Sequence, residues 1–357
     1  LGRIEKEDIQ MMFGETPATD ITITGGNTFE VKVPSLTTFG DIPLSMTIHG
    51  VEMNMGGYAA FEILASPVIT SVETDNKFSS KAVQVGNTVT IKGTGFRNST
   101  ISSATFGGQD LNYTVVSDTE ITASVSEQCA EGEDVITLKF DDVVVDVVSG
   151  DKLNMLKAGS DISDYILTNV KQPFESKEGK TSGHCTPVGW KFNYGAGNDG
   201  FCHNESEIEM PGEGLYMNDQ GGLLVIQSGW EGRSKKMNGK MFQTFNIPQG
   251  VYDVVIDVAE LATNGGGRKK AGLFISKGGE EQTPNMDASG NWTENTNLLK
   301  SVDFYMPGET YSENYKDQRF VIENLTIDYE GETTLGFAVH FDSNRALKIS
   351  SIKVLLK

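Results

Sequence analysis

The chain has 357 residues, of which 38% are hydrophobic, and its 29 basic and 49 acidic side chains give a formal net charge of −20 at pH 7. This length suggests two or three domains, each able to bury a core. The negative charge argues against nucleic acid as a partner, because a phosphate backbone would be repelled. No apolar run approaches the roughly 20 residues that a membrane-spanning helix needs. The 40 glycines cluster between alternating apolar stretches, which predicts an all-β protein with many turns.

Residues 1–66 contain short stretches of strand character, at Phe29–Val33 and Leu44–Ile48. Residues 67–155 show the same kind of pattern, with apolar side chains at Val89 and Ile91 separated by polar ones. Such alternation is typical of a strand that is covered by a second sheet on one face only. We therefore expect a small β-sandwich in this part of the chain.

Three phrases of residues 67–155 resemble the IPT/TIG immunoglobulin-like domain. They are a P-x-I-x-S opening at Pro67–Ser71, the pattern G-x-x-V-T-I-x-G-x-x-F at Gly86–Phe96, and F-G-G at Phe106–Gly108. The resemblance implies an immunoglobulin-like sandwich over residues 67–155.

A second copy of this domain emerges when the sequence is displaced by about 92 positions. Phe13-Gly14 then falls on Phe106-Gly107, and Gly40 falls on Gly132. Residues 1–66 are therefore predicted to form an incomplete IPT/TIG-like domain. By the same displacement its opening strands would lie about 25 residues before Leu1, and we expect them in upstream sequence.

The composition changes near residue 156. Residues 1–156 carry 22 acidic and 9 basic side chains, a net charge of −13, whereas the remainder carries −7 together with all three tryptophans and eight of the ten tyrosines. A hairpin is predicted from Met241 to Val258, in which Tyr252, Val254 and Ile256 share one face with Val258. Further strands follow at regular spacing, with a bulge predicted at Ser350-Ser351; they are Lys270–Ser276, Phe320–Ile327, Thr334–Phe341 and Leu347–Leu356. We expect residues 156–357 to form one larger β-sandwich.

The phrases Gln243–Tyr252, Gly229-Trp230 and Ile352–Leu356 resemble the jelly-roll modules that follow immunoglobulin-like repeats in glycan-binding surface lipoproteins of gut Bacteroidetes. The implied fold class is all-β, with tandem IPT/TIG sandwiches before a C-terminal jelly-roll, galactose-binding-like β-sandwich. The implied function is noncatalytic binding of extracellular polysaccharide, with the small domains as spacers. The implied location is the outer face of the outer membrane, through an upstream lipid anchor and beside a TonB-dependent transporter.

Sugars present flat apolar faces and a rim of hydroxyls, so a binding site needs an exposed aromatic ring flanked by hydrogen-bonding groups. Glycine-rich or polar loops of residues 156–357 offer both kinds of group, although aromatic residues beside glycines can also simply cap a core. The candidate ligand-binding residues are Trp190, Asn193, Tyr194, Trp230, Arg233, Trp292 and Tyr305.

Two cysteines and two histidines form a mirrored pair, His184-Cys185 and Cys202-His203. A disulfide between Cys185 and Cys202 is the interpretation that we favour over a zinc site, because adjacent ligands in one strand point to opposite faces. Two free thiols are the third alternative. No cofactor is predicted; a structural calcium ion would suit a jelly roll with this charge, but no ligand set can be named.

No motif of a known catalytic site is present in the sequence, which contains neither a nucleophile elbow nor His-Glu-x-x-His nor a phosphate-binding loop. We therefore expect a protein that is not an enzyme. Two alternatives stay open: a cell-surface adhesin or scaffold that binds a protein, and a glycoside hydrolase with an unrecognised pair of carboxylates.

Overall fold

The computed structural model describes residues 4–36, 40–58, 60–141, 143–177, 179, 183–185, 187–194, 213–217, 222–227, 237–263, 271–304, 315–341 and 345–357. The chain divides into two compact units. The N-terminal unit holds residues 1–76 and 80–155, and the C-terminal unit holds residues 77–79 and 156–357.

In the described residues, the N-terminal unit consists of strands and two turns of 3₁₀ helix, Lys6–Asp8 and Gly56–Tyr58. Its first repeat contains β1 (Ile9–Phe13), β2 (Thr16–Pro17), β3 (Asp20–Gly25), β4 (Thr28–Lys32), β5 (Gly40–Ile48), β6 (Val51–Glu52) and β7 (Ala60–Ile63). Its second repeat contains β8 (Val68–Thr74), β9 (Ala82–Val83), β10 (Thr88–Thr94), β11 (Ile101–Phe106), β12 (Gln109–Asp110), β13 (Asn112–Ser117), β14 (Glu120–Ser124), β15 (Gly132–Phe140) and β16 (Val147–Met155).

The second repeat is a sandwich of two sheets, with strand orders β13-β14-β10-β8 and β12-β11-β15-β16-β9. Alternate residues of the predicted strands point into it: Val89, Ile91 and Ile121 have no exposed surface. The apolar alternation that we identified in the sequence is therefore the core face of this sandwich, as predicted.

The two repeats share the same strand pairing at an offset of 92 residues. In the first repeat Asp20 pairs with Lys32 and Ile23 with Phe29; in the second, Asn112 pairs with Ser124 and Val115 with Ile121, and each hairpin has a bulge after the latter pair. Gly40 pairs with Ile63 as Gly132 pairs with Met155. A bulge in β11 adds one residue to the offset after that point, so Phe13 of the first repeat corresponds to Phe106 of the second.

The described residues of the C-terminal unit include one short helix, α1 (Ser163–Ile166), and a 3₁₀ turn at Glu280–Gln282. Its strands are β17 (Gly183–Cys185), β18 (Lys191–Tyr194), β19 (Glu213–Met217), β20 (Leu223–Gln227), β21 (Met237–Asn246), β22 (Gly250–Thr263), β23 (Ala271–Lys277), β24 (Leu298–Asp303), β25 (Tyr315–Ile327), β26 (Glu332–Phe341) and β27 (Arg345–Leu356).

Two antiparallel sheets form the C-terminal sandwich. The first sheet has the order β17-β19-β20-β27-β22-β25, and the second has the order β18-β21-β26-β23-β24. The core between them takes the inward side chains of β22, Tyr252, Val254, Ile256 and Val258, all buried. The hairpin predicted from Met241 to Val258 was wrong, because β21 lies in the second sheet and β22 in the first, so the turn between them passes from one sheet to the other. The bulge predicted at Ser350-Ser351 is present, since Asp257 pairs with Ser351 and Val258 with Ile349. The predicted all-β fold class is confirmed.

The segment that enters the C-terminal unit runs beside the last strand. Backbone hydrogen bonds join Gly159 to Leu356 and Ile162 to Val354, and the amide of Gln172 donates to Ser350. Residues 159–172, here called the entry segment, therefore lie along the part of β27 that β20 does not cover. Among the described residues, no helix is long and apolar enough to cross a membrane.

Candidate functional site

The outer face of the second C-terminal sheet carries a row of side chains that crosses all five strands. Asn193 pairs with Lys240, Lys240 with Ala338, Ala338 with Gly272, and Gly272 with Asp303. Residues that are directly paired on adjacent strands point to the same face. The row therefore has polar side chains at both ends and only small residues in its centre.

The neighbouring row on the same face is aromatic. Phe242 and Phe274 both pair with Gly336, and a side chain at Gly336 would lie 2.5 Å from Cβ of Phe242 and 2.7 Å from Cζ of Phe274. A Cβ at Gly272 would lie 2.6 Å from Cζ2 of Trp292. The two glycines thus allow three aromatic rings to approach the backbone of the sheet.

Residues 278–297, here called the cover segment, fold over this face. A small apolar cluster joins the segment to the sheet; its members are Phe242, Phe274, Met286 and Ala338, with Trp292 and Leu298 packed against them. Three polar side chains of the sheet reach the segment as well. Lys240 Nζ donates to the carbonyl of Thr283 at 3.2 Å, Asn193 Nδ2 donates to Glu280 Oε1 at 3.1 Å, and His340 Nδ1 lies 3.4 Å from the carbonyl of Met286.

Trp292 is the aromatic residue of this site that keeps part of its surface in solvent. Its Nε1 donates to Asp303 Oδ1 at 2.7 Å, and its ring meets Phe274 edge to face at a centroid distance of 6.2 Å. The indole is therefore fixed in orientation by a carboxylate, while it rests on Gly272. A held, half-buried indole beside an exposed carboxylate can stack on the apolar face of a sugar and offer acceptors to its hydroxyls.

The charge around the cover segment is mainly negative. Burial lowers the pKa of Lys240, and the attraction of Glu280 opposes that effect. The pKa of Asp287 is also lowered, chiefly because the amide of Asn291 donates to its carboxylate, and the amide of Ser289 does so too. These bonds close the turn that precedes Trp292.

Trp190 is not an exposed platform, and this expectation was wrong. Its side chain is only 2% exposed; the ring stacks on Phe337 with centroids 5.9 Å apart, and Nε1 donates to the carbonyl of Asn169 at 3.1 Å. Trp190 immediately precedes β18 and points into the sandwich, where its indole N–H finds a backbone partner. It is one of the aromatic residues that close the core.

The other candidates divide into those that the structure places and those outside the described residues. Asn193 is half-buried and contacts the cover segment, as does Trp292. The backbone of Tyr194 pairs with Gly239 at the end of β18. Trp230, Arg233 and Tyr305 lie outside the described residues.

The cysteine pair cannot be assigned from the described residues, because the backbone of Cys185 lies in β17 but Cys202 lies outside them. The disulfide is still a prediction. Cys129 is a free, buried thiol in the second repeat. In the described part of the chain, no group of three or more His, Cys, Asp or Glu side chains could hold a metal ion.

Sequence reasoning missed Gly272, Lys240 and Asp303. Gly272 had a readable signal, since a glycine inside an apolar strand indicates a close approach by another group. Lys240 and Asp303 had none, because their place on one row depends on the register of five strands. That register joins residues as far apart as Asn193 and Asp303.

Comparisons with known families match two parts of the chain. Residues 67–148 match the IPT/TIG domain. The TIG domain expected from the motifs is therefore present. Residues 168–310, which include the cover segment, match a domain of unknown function, DUF5013. No curated protein matches the chain.

Several solved structures are similar to the chain at low identity. A surface glycan-binding protein of Prevotella bryantii is 13% identical, with a TM-score of 0.21, over 98% of this chain and 90% of that one. The SGBP-B of the mixed-linkage glucan utilization locus of Bacteroides ovatus, in complex with a heptasaccharide, is 13% identical, with a TM-score of 0.23, over 98% and 70%. TmCBM61 in complex with β-1,4-galactotriose is 13% identical, with a TM-score of 0.24, over 48% and 90%.

Proposed function

We propose that the protein binds extracellular polysaccharide without cleaving it, and that the cover segment, at Trp292, carries the binding site together with the residues of the second C-terminal sheet that border it. The observation that supports this is Trp292, a half-buried indole held by Asp303 and seated on Gly272. Stacking on an aromatic ring needs a fixed orientation and partial exposure, and both are present here. Binding alone requires no acid, base or nucleophile.

Asn193 supplements this platform within the proposal. It lies at the other end of the row that Asp303 closes, so the two can hydrogen-bond to sugar hydroxyls at separate points. Tyr194, Trp230, Arg233 and Tyr305 belong to the proposed site on the basis of the sequence. Tyr194 is the last residue of β18, and Tyr305 follows two residues after Asp303, the last residue of β24.

The cellular setting is part of the same proposal. The IPT/TIG repeats act as spacers that carry the C-terminal unit, and the protein works at the cell surface, anchored by a lipid upstream and beside a TonB-dependent transporter. The acidic repeats are unsuited to nucleic acid, since their charge of −13 would repel a phosphate backbone.

Affinity electrophoresis in gels that contain single plant, host or microbial polysaccharides tests the proposal. We expect at least one glycan to retard the protein, and Trp292→Ala to lower the affinity about tenfold or more, as the loss of a central aromatic contact does. Phe61→Ala is the matched control, because Phe61 is an exposed aromatic residue of the first repeat. Absence of retardation by every glycan, or equal retardation of Trp292→Ala and the unmodified protein, would refute the proposal.

A further inference from the structure

Asp303 is bonded directly to the indole of the proposed glycan site. Its Oδ1 accepts the N–H of Trp292 at 2.7 Å, whereas Oδ2 accepts no hydrogen bond from any described residue. The residue is exposed at the end of β24. An ionised carboxylate offers acceptors only. A sugar that stacks on Trp292 would therefore meet, at Oδ2, an atom that suits a hydroxyl donor.

The cover segment adds negative charge at this site and no positive charge. It contains Glu280, Glu281, Asp287 and Glu294, and no lysine, arginine or histidine. The pKa of Asp287 is lowered, chiefly by the backbone amide of Asn291, so this carboxylate is ionised at neutral pH. Asp287 and Glu294 are both exposed. A ligand at the cover segment therefore meets carboxylates without a neighbouring cation of the segment itself.

Three lysines of the second C-terminal sheet do not offset this charge at the indole. Lys240 and Lys191 lie on the same face as Asp303 but three and four strands away, which is roughly 14 and 19 Å. The ammonium of Lys240 also donates to a carbonyl of the cover segment. Lys300 pairs with Ile275, whose side chain is buried in the core, so Lys300 points to the opposite face from Asp303.

We propose that the Trp292 site accepts uncharged sugar residues and rejects acidic ones such as uronic acids, and that Asp303 sets this selectivity. The inference rests on the proposed glycan binding. A sugar hydroxyl can donate to Oδ2 of Asp303, whereas a sugar carboxylate brings a second negative charge and no donor. Sites that hold carboxylates present arginine or lysine to them instead. Stacking on the indole alone would not distinguish the two kinds of sugar, so the carboxylate is the repulsive element that does.

The polysaccharides of the gel panel that have a free C6 hydroxyl serve as probes, each in three forms. These are the unmodified polymer, the polymer oxidised at C6 to a carboxylate, and the methyl ester of the oxidised polymer. Isothermal titration in 150 mM NaCl measures binding, because charges more than about 8 Å from the ligand are then largely screened. We expect the unmodified polymer and the ester to bind within threefold of each other, and the oxidised polymer to bind at least tenfold more weakly.

Asp303→Asn removes the charge and keeps an oxygen that can accept the indole N–H. We expect it to reduce the ratio between the affinities for the unmodified and the oxidised polymer at least fivefold. Glu323→Gln is the matched control, since Glu323 is an exposed carboxylate of β25 in the first C-terminal sheet and its loss changes the net charge equally. This control should leave the ratio within 1.5-fold.

Three results would overturn the inference and leave glycan binding intact. They are equal binding of the oxidised and unmodified polymers, binding of acidic polymers alone, and a ratio that Asp303→Asn does not change more than Glu323→Gln does. The three forms of the polymer test the selectivity even if Asp303→Asn does not fold. If no polymer binds in any form, the proposed function itself fails, and the inference fails with it.

Discussion

The Tyr252 side chain makes one hydrogen bond to the turn that precedes β22. Its hydroxyl donates to the carbonyl of Pro248 at 2.7 Å, and a Cβ at Gly250 would lie 3.0 Å from that hydroxyl, so glycine leaves room for the ring. Burial raises the pKa of Tyr252 to about 12, against 10 for an ordinary tyrosine. Above pH 10 the unfolded chain releases this proton before the folded one does, so the stability that Tyr252 contributes is lost between pH 10 and 12.

We expect Tyr252→Phe to cost about 1 kcal/mol at pH 7, the net worth of one hydrogen bond, and to make the unfolding free energy of the C-terminal unit less sensitive to pH between 10 and 12. Denaturant titrations at pH 7, 10 and 11.5 measure both effects. Tyr113→Phe, which removes a similar hydrogen bond to the carbonyl of Ile101 in the second repeat, is the control and should keep the alkaline loss. An unchanged alkaline loss in Tyr252→Phe would contradict this assignment.

Lys240 is an ammonium that the cover segment buries, with 8% of the residue exposed. Because burial lowers its pKa from 10.5, the folded protein holds this proton less tightly than the unfolded chain does. Its contribution to stability therefore rises with pH between the lowered value and 10.5. We expect Lys240→Met to change the unfolding free energy by less than about 1.5 kcal/mol at pH 7, since relief of desolvation offsets the lost hydrogen bond.

The same variant should remove the rise in stability that Lys240 causes as the pH approaches 10.5 from below. Thermal unfolding across that range measures it, with Lys300→Met, an exposed lysine of β24, as the control. Lys240→Met would speak against the buried-ammonium interpretation if its stability still rose with pH as that of the unmodified protein does.

At the scale of the elements, Gly336 and Gly272 make room for the aromatic rings that pack on the outer face of the second C-terminal sheet. We expect Gly336→Ala to cost about 1–3 kcal/mol, because the new methyl group would meet Phe242, Phe274 and the carbonyl of Met241 within 2.7 Å. Gly272→Ala should displace Trp292, which shifts the tryptophan emission and weakens glycan binding.

Gly150→Ala provides the comparison for both glycine variants, because Gly150 lies in a strand with nothing within 4 Å of its added Cβ. Chemical denaturation and fluorescence spectra of the three variants measure the effects. If Gly272→Ala left both the emission and the binding unchanged, Trp292 would not depend on this contact.

Strands and their inward faces could be predicted from the sequence wherever the alternation of apolar residues is local. The inward face of β22, the core positions Val89 and Ile91, and the bulge at Ser350-Ser351 are examples. The pairing of β21 with β22 was predicted wrongly, because the local pattern does not show that the chain passes from one sheet to the other between these strands. The cover segment could not be predicted. Most of its residues are polar, and the apolar cluster that attaches it to the sheet includes side chains from distant strands. Trp190 was misjudged for a related reason: a glycine-rich neighbourhood suggests a loop, whereas burial of the indole depends on Phe337 in another strand.

At the scale of the whole molecule, folding of the second repeat and binding by the C-terminal unit should be separable. We expect Ile121→Ala to destabilise the second repeat by about 2–5 kcal/mol, the usual cost of removing a fully buried isoleucine side chain, and to leave the glycan affinity within twofold. Calorimetry and affinity electrophoresis of the full chain measure the two quantities. Val116→Ala, at an exposed position of the same repeat, is the control for stability. A loss of glycan affinity in Ile121→Ala at a temperature where the protein is still folded would show that the repeats take part in binding.

The entry segment has a mechanical consequence if the C-terminal unit binds a polymer, as we propose. It lies antiparallel to the last half of β27, with Gly159 opposite Leu356, so the chain enters beside the end of β27 that is farthest from Arg345. A pull on the Arg345 end of β27, while the chain is held before Gly159, would load the bonds between the entry segment and β27 in shear. Bonds in shear carry tension together instead of opening one by one, so this arrangement resists extension along the direction in which a tethered glycan would pull.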